Sequence, residues 1–383
     1  MNSKLILIFA AENVKEMENK WLNKAFKGKV PSDFQGKVGW QSPSNIALVK
    51  YWGKRGKQHP QNPSISFTLS ECRSETFVSF ENADNFGFRF FFEGKENPAF
   101  GAKIEKFLLE NQAFFPFINQ LHLTVESRNT FPHSSGIASS ASSMSAFVMC
   151  LMEIETMLIG PSTPLTGSGT EGSGNLTKAS YFSRLASGSA ARSVYSKMAL
   201  WGATKAYKGS FDEYAVSLEN DIHSVFKTYR DSILIVSGET KSVSSRAGHG
   251  LMEGNPYASA RYAQANENTK NLLVALKSGD LDTFINITES EALQLHALMM
   301  CSNPSFILMK PNTLNLISEI RKFREETKIP LCFTLDAGPN VHLLYPEQEA
   351  SKVEYYIKNV LADYCDRERW ISDHVGDGPK KLL

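Results

Sequence analysis

Residues 129–143 read NTFPHSSGIASSASS, and nine of these fifteen positions are Gly, Ala or Ser. The run follows the strand-like LHLTVESR and precedes SMSAFVMCLMEIETMLI, which is apolar on most sides and reads as about four turns of buried helix. Such a junction admits two structures. Small side chains let a helix start lie tight against a sheet. They also let an anion approach the main chain, where a first helical turn presents unpaired N–H groups and the positive end of the dipole. Pro132 stops the preceding strand, Gly136 permits backbone conformations that other residues avoid, and the serine hydroxyls add donors or reach a magnesium ion. The run is neither GxxxxGK(S/T) nor GxGxxG, so a nucleotide bound here would need another device.

The 383 residues suggest two domains. Lys plus Arg number 41 and Asp plus Glu 40, so the net charge of +1 gives no bulk attraction to nucleic acid or to a membrane surface. The five cysteines, Cys72, Cys150, Cys301, Cys332 and Cys365, form no CxxC pair and no zinc-ligand spacing. They read as free thiols of a reducing, cytoplasmic compartment. LILIFAA at 5–11 is apolar, but the charged ENVKEMENK follows without a clean cleavage site. It reads as a leader, a start misplaced ahead of Met17 or a surface arm, rather than as a secretion signal. No apolar stretch reads as reaching the ~18 residues needed to span a bilayer.

Residues 1–37 read as an extension, 38–229 as a first domain and 230–383 as a second, beginning near the strand DSILIVSG. KVGWQSPSNIALVKYWGK predicts a strand, a Ser/Pro turn and a second β-rich run. SISFTLSECRSETFVSF and NFGFRFFFEG predict antiparallel strands from their Phe/Val/Thr alternation. KIEKFLLENQAFF predicts an amphipathic helix, and 160–176 a long Gly/Ser/Thr/Pro loop. Helices are expected over 255–278, 281–300 and 311–326, then a strand–turn–strand in IPLCFTLDAGPNVHLLYP and a last helix in EASKVEYYIKNVLAD. Without regular βαβ repetition, the class is α+β.

Three further stretches carry chemistry. In SGSAARSVY, Arg192 beside Gly and Ser suits a carboxylate or phosphate, and equally a helix surface. In FTLDAGPNVHLL, Asp336 ends an apolar strand at a glycine turn, where it orients a substrate hydroxyl or merely initiates the turn. In SPSNIALVKYWGKR, Lys50, Lys54 and Arg55 form a basic group, and strand period puts Lys50, Trp52 and Lys54 on one face.

In this order, SPSNIALVKYWGKR, NTFPHSSGIASSASS, SGSAARSVY, VSSRAGHG and FTLDAGPN resemble the motifs of the mevalonate diphosphate decarboxylases, in the GHMP kinase superfamily. The likeness runs from about Gly39 to Pro346. It implies a two-domain GHMP kinase-like fold with a deep cleft between the domains, a homodimer, and a place in the mevalonate pathway of isoprenoid biosynthesis. The implied reaction is ATP-dependent decarboxylation of (R)-5-diphosphomevalonate to isopentenyl diphosphate, with ATP and Mg2+.

By that likeness Asp336, Arg192 and Lys50 are catalytic: the acid acts on the C3 hydroxyl, the guanidinium holds the departing carboxylate, and the ammonium sits near the reacting oxygens. Tyr51, Lys54, Ser187, Ser189 and Ser245 line the substrate site. Pro132, Ser134, Ser135, Gly136, Ile137, Ala138, Ser139 and Ser140 cradle ATP, with Lys241 as a further ATP contact and Ser139 as a metal ligand. The chain departs from the family pattern at His133–Ser135, where Thr-Ala-Ala is usual, at Ser142–Ser143, where Ala-Gly is usual, and at His249, where Met is common. A phosphomevalonate decarboxylase, a mevalonate kinase-like enzyme and an inactive binding paralogue stay open on sequence alone.

Overall fold

The computed structural model describes residues 3–132, 137–160, 170–239 and 245–383. The first half runs through α1 (Ser3–Lys24), β1 (Gln35–Ala47), β2 (Lys54–Arg55), β3 (His59–Pro60), β4 (Ser64–Asn82), β5 (Gly87–Phe92), β6 (Lys95–Glu96), α2 (Pro98–Glu110) and β7 (Leu121–Asn129). It continues with α3 (Ser139–Ile159), α4 (Thr170–Ala186), β8 (Met198–Trp201) and β9 (Ala215–Ser217). The second half contains β10 (Arg230–Leu234), α5 (Ser245–Gly250), α6 (Ala258–Ser278), α7 (Leu281–Met300) and α8 (Pro311–Thr327). Then come β11 (Cys332–Thr334), β12 (Val341–Tyr345), α9 (Ala350–Asn359), β13 (Trp370–His374) and β14 (Lys380–Lys381).

The first sheet is ordered β14-β1-β4-β7-β5-β6, with β8 and β9 on the other end of β4. Its spine is β4, where Cys72, Ser74, Thr76, Val78 and Phe80 are buried and the residues between them are not. That period of two puts one face on the core. Across it lies α3, buried from Ala141 through Met152. Small polar residues bring the two close: the hydroxyls of Ser142 and Ser74 are 2.7 Å apart, and Ser145 donates to Ser42 at 3.2 Å. By length and composition α3 is apolar enough to cross a membrane, contrary to the sequence expectation. However, 72% of its most apolar window is buried inside the protein, which makes it a core helix.

Other expectations are corrected by tertiary pairing. The Ser/Pro turn at 42–44 is a bulge within one continuous β1, between Pro43 and Asn45. Strand β5 is not antiparallel to its main neighbour. It runs parallel to β7, from Gly87 beside His122 to Phe92 beside Ser127, because α2 carries the chain back across the sheet. Helix α4 starts at Thr170, inside the stretch read as a loop. Each of its early glycines costs about 1 kcal/mol of helix propensity, and the burial of Ala179, Tyr181 and Phe182 further on offsets this. Residues 161–169 lie outside the described residues. The N-terminal segment also packs: Val14 is buried, and Trp21 meets the Tyr181 ring at 5.1 Å.

The second sheet, β11-β12-β10-β13, is antiparallel throughout and lies against the helices of the second half. The two halves share a large apolar cluster. Ile46, Phe67, Phe131 and Met198 meet Phe226, Tyr229, Leu272 and Phe284 within it.

A polar joint lies beside that cluster. The Asp373 carboxylate on β13 accepts the main-chain N–H groups of Ser70, Glu71 and Cys72 at 2.8, 2.9 and 2.7 Å, which ties the second sheet to β4 of the first. Asp373→Ala strands these donors in a buried site. We expect a loss of about 3 kcal/mol in urea unfolding, with the m-value unchanged.

Candidate active site

Beyond Ala47 the chain leaves the sheet and folds irregularly until Lys54. This segment floors a cavity of about 220 Å3. Period two therefore does not govern residues 50–54. Lys50, Tyr51, Trp52 and Lys54 all line the cavity, and Trp52 is largely buried against Met252, Leu295 and Met299. Arg55, grouped with the lysines on sequence, turns away to Asp212 at 2.5 Å.

Opposite the segment, the turn between β11 and β12 presents Asp336. Lys50 Nζ donates to its Oδ1 at 2.8 Å, with the lysine side chain 2% exposed and the aspartate 22%. The Asp336 carbonyl accepts from His296 Nε2 on α7 at 3.1 Å, so the neutral form of that ring carries its proton on Nε2.

Arg192 ends the 3₁₀ turn Gly188–Arg192 and is buried. Its Nε donates to Asn45 Oδ1 at 3.2 Å, while Asn45 Nδ2 donates to Ser193 Oγ at 2.8 Å and to the Ser189 carbonyl at 3.2 Å. The guanidinium lies 5.7 Å from the Trp201 ring centre. Its Nη1 has no acceptor among the described residues. Burial pushes its pKa down to about 10, with Asp336 and then Tyr51 opposing the fall, so the group is cationic at neutral pH. Burial likewise pushes the Tyr51 phenol up, which keeps it a hydrogen-bond donor. The turn needs Gly188: a Cβ there would sit 2.8 Å from the Tyr51 hydroxyl and 3.0 Å from the Trp201 ring.

The cavity gathers most of the residues named from sequence. Lys50, Tyr51, Lys54, Ser187, Ser189, Arg192, Asp336, Ala138 and Ser140 all line it. Ser140 Oγ is 3.1 Å from Ser187 Oγ. Three of the named residues lie outside its lining. Ser139, expected as a metal ligand, is not among the lining residues, because a helix turns about 100° per residue and α3 presents its neighbour Ser140 instead. The Ile137 side chain is buried in the shared apolar cluster, and its carbonyl accepts from Ser44. Pro132 is exposed and does not line the cavity. Ser134, Ser135, Gly136 and Lys241 lie outside the described residues, as does the Ser245 side chain.

The sequence reading missed Asn45 and Gln58. An amide inside the apolar run NIALV was a usable signal for the first, since a buried Asn must find partners. His249 also lines the cavity, between the rings of Tyr51 at 4.3 Å and Trp52 at 4.7 Å. The Gly53 N–H donates to its Nδ1 at 3.0 Å, which leaves the proton on Nε2. Burial, then the nearby Lys54 charge, lowers its pKa to about 3.

With the geometry in place, comparison with known proteins is decisive. The family model for the diphosphomevalonate decarboxylase-like N-terminal domain matches residues 42–212, and that for the mevalonate 5-diphosphate decarboxylase C-terminal domain matches 232–381. The chain belongs to the mevalonate diphosphate decarboxylase family. It is 27% identical to the diphosphomevalonate decarboxylase of Schizosaccharomyces pombe, over 88% of this chain and 85% of that protein. It is 28% identical to that of Saccharomyces cerevisiae, over 82% and 79%. The Staphylococcus aureus mevalonate diphosphate decarboxylase structure superposes with a TM-score of 0.75 at 25% identity, covering 91% of this chain and 99% of that one. A structure of MDDEF in complex with MVAPP, AMPPCP and magnesium superposes with a TM-score of 0.73 at 25% identity, with the same coverage. The fold is that of the GHMP kinase-like decarboxylases.

The histidine in this site has a measurable signature. Its folded pKa of about 3 lies below the ~6.5 of an unfolded histidine. Between those values the unfolded chain binds the proton that the folded chain refuses, so this residue makes stability rise with pH and fall on acidification. We expect His249→Met to lose less stability than the parent between pH 7 and pH 5, read from urea midpoints at each pH.

Proposed function

We propose that the chain converts (R)-5-diphosphomevalonate and ATP to isopentenyl diphosphate, ADP, phosphate and carbon dioxide. The observation that carries this reading is the meeting of three groups in one cavity: the Lys50–Asp336 ion pair and the buried Arg192, whose Nη1 has no acceptor among the described residues. An enzyme that only phosphorylated an alcohol would need an acid and a cation. A buried guanidinium with an unused N–H suits a carboxylate that must be held while its carbon–carbon bond breaks. Family membership and the MDDEF complex with MVAPP and AMPPCP support the same pairing of substrate and nucleotide.

In this reading the tertiary C3 hydroxyl faces Asp336. The carboxylate, held by Lys50, orients the hydroxyl and takes its proton as the phosphoryl group arrives. Lys50 offsets negative charge on the reacting oxygens. When phosphate departs, positive charge develops at C3, and loss of carbon dioxide quenches it as the alkene forms. Carbon dioxide is neutral, so the carboxylate's hold on Arg192 vanishes during the step. Asn45 and the Trp201 ring keep the guanidinium in place independently of the substrate.

Tyr51, Lys54 and His249 Nε2–H then serve the diphosphate end, with Ser187, Ser189 and Ser245 along the substrate. Ala138 and Ser140, with the preceding loop from Pro132 and Lys241, serve the nucleotide phosphates. Among the described residues no cluster of three or more His, Cys, Asp or Glu forms a metal cage. That suits magnesium, which is bound by one or two protein oxygens together with substrate phosphates. Asp336 and Ser140 would supply the protein oxygens, and the ion would neutralise phosphate charge. The same reading includes a homodimer, tested by light scattering, and a cytoplasmic location, which the free thiols support.

The test compares mevalonate, its monophosphate and its diphosphate, each with ATP and magnesium, scored for carbon dioxide and alkene. We expect alkene from the diphosphate alone. Asp336→Asn is expected to lower kcat by about 10²–10⁴-fold, and turnover at the parent rate would remove Asp336 from the chemistry.

A further inference from the structure

Two buried charges lie just behind the cavity and do not line it. Glu291 on α7 is fully buried, and Arg261 on α6 is 5% exposed. Arg261 grips the carboxylate with both terminal nitrogens: Nη1 donates to Oε1 at 2.9 Å and Nη2 donates to Oε2. Asn268 Nδ2 donates to the same Oε1 at 2.6 Å. The pair also holds the main chain of Lys50 at both ends. The Lys50 N–H donates to Glu291 Oε2 at 2.9 Å, and Arg261 Nη2 donates to the Lys50 carbonyl at 3.2 Å. Asn62 Nδ2 donates to that carbonyl at 3.1 Å.

A buried ion pair is a weak device for stability, since desolvating both charges offsets most of their attraction and well-packed apolar residues often do as well. Here the pair stands at a place where the chain has left its strand and has no ladder to satisfy its peptide groups. It therefore fixes the peptide position of Lys50. The same helix holds the other member of the cavity's ion pair, because His296, five residues further along α7, donates to the Asp336 carbonyl. That separation is about 7.5 Å of helix rise. One rigid element thus contacts the backbones of both Lys50 and Asp336, which come from opposite halves of the chain.

We propose that Glu291, together with Arg261, is a positioning residue for the decarboxylation. The pair seats the Lys50 peptide on α7 so that its ammonium meets Asp336 in the cavity. This rests on the reading of the cavity given above. Neither residue touches substrate, so its loss acts on turnover through Lys50 and leaves substrate binding nearly intact.

The test measures carbon dioxide release from the diphosphate with ATP for the parent, for Arg261→Met/Glu291→Met, for Glu291→Gln, and for Glu155→Met/Lys178→Met. The last removes a buried ion pair between α3 and α4 away from the cavity. We expect the Arg261/Glu291 double variant to fold, with a melting temperature within about 3 °C of the parent. Its kcat should fall about 10²-fold, with KM for both substrates changed less than about threefold. Glu291→Gln keeps an oxygen for the Lys50 N–H and should recover part of the loss, to about tenfold below the parent. The Glu155/Lys178 variant should keep the parent kcat.

A folded Arg261/Glu291 variant with the parent kcat overturns the proposal, as does a kcat loss matched by the Glu155/Lys178 control. Should that double variant fail to fold, Glu291→Gln decides: a reduced kcat at constant KM supports the positioning role, and an unchanged kcat overturns it. A parent that releases no carbon dioxide overturns the reading of the site itself, and the positioning role with it.

Discussion

The ion pair between Lys50 and Asp336 is the constraint around which the molecule is arranged. One partner comes from the segment leaving the first sheet, and the other from a turn of the second, almost three hundred residues later. Two charges brought this far out of water lose several kcal/mol of hydration each, which only good geometry and further hydrogen bonds offset. The surroundings supply both. Asn62, Arg261 and Glu291 hold the Lys50 peptide, and His296 holds that of Asp336. The cleft between the halves is thus a place where each half completes the other's polar groups.

The electrostatics of the cavity follow from burial more than from overall charge. The chain's net charge is +1, yet Lys50, Lys54 and Arg192 all face one small space. Among the described lining residues only Asp336 is acidic. A cavity with that surplus of positive charge and a low local dielectric attracts an anionic ligand strongly. His249 adds a donor without adding charge, since its ring stays neutral between the aromatic faces of Tyr51 and Trp52.

Much of this was legible in the residues, for identifiable reasons. Strict alternation marked β4 and β7, and an all-round apolar stretch marked α3, because burial on one face or on all faces leaves a periodic trace. Lys50, Arg192 and Asp336 were singled out by their place in the family-like motifs, since locally Arg192 reads equally as a helix-surface residue and Asp336 as a turn initiator. In the small-residue run Ser142 packs against the sheet, while Ala138 and Ser140 open onto the cavity. What stayed hidden depends on distant partners. Nothing local tells that β5 runs parallel to β7, that period two ends at Ala47, or that Glu291 on an ordinary amphipathic helix reaches back to the Lys50 peptide.

The apolar cluster shared by the two halves has a consequence for how the protein is made. Phe67 and Phe131 belong to strands and loops of the first half, but the cluster they join includes Leu272 and Phe284. On a ribosome adding about 5–20 residues per second, the first sheet emerges with that greasy flank bare for some ten seconds or more. A nascent chain of this kind is a natural client for chaperones that shield hydrophobic surface until the second half covers it.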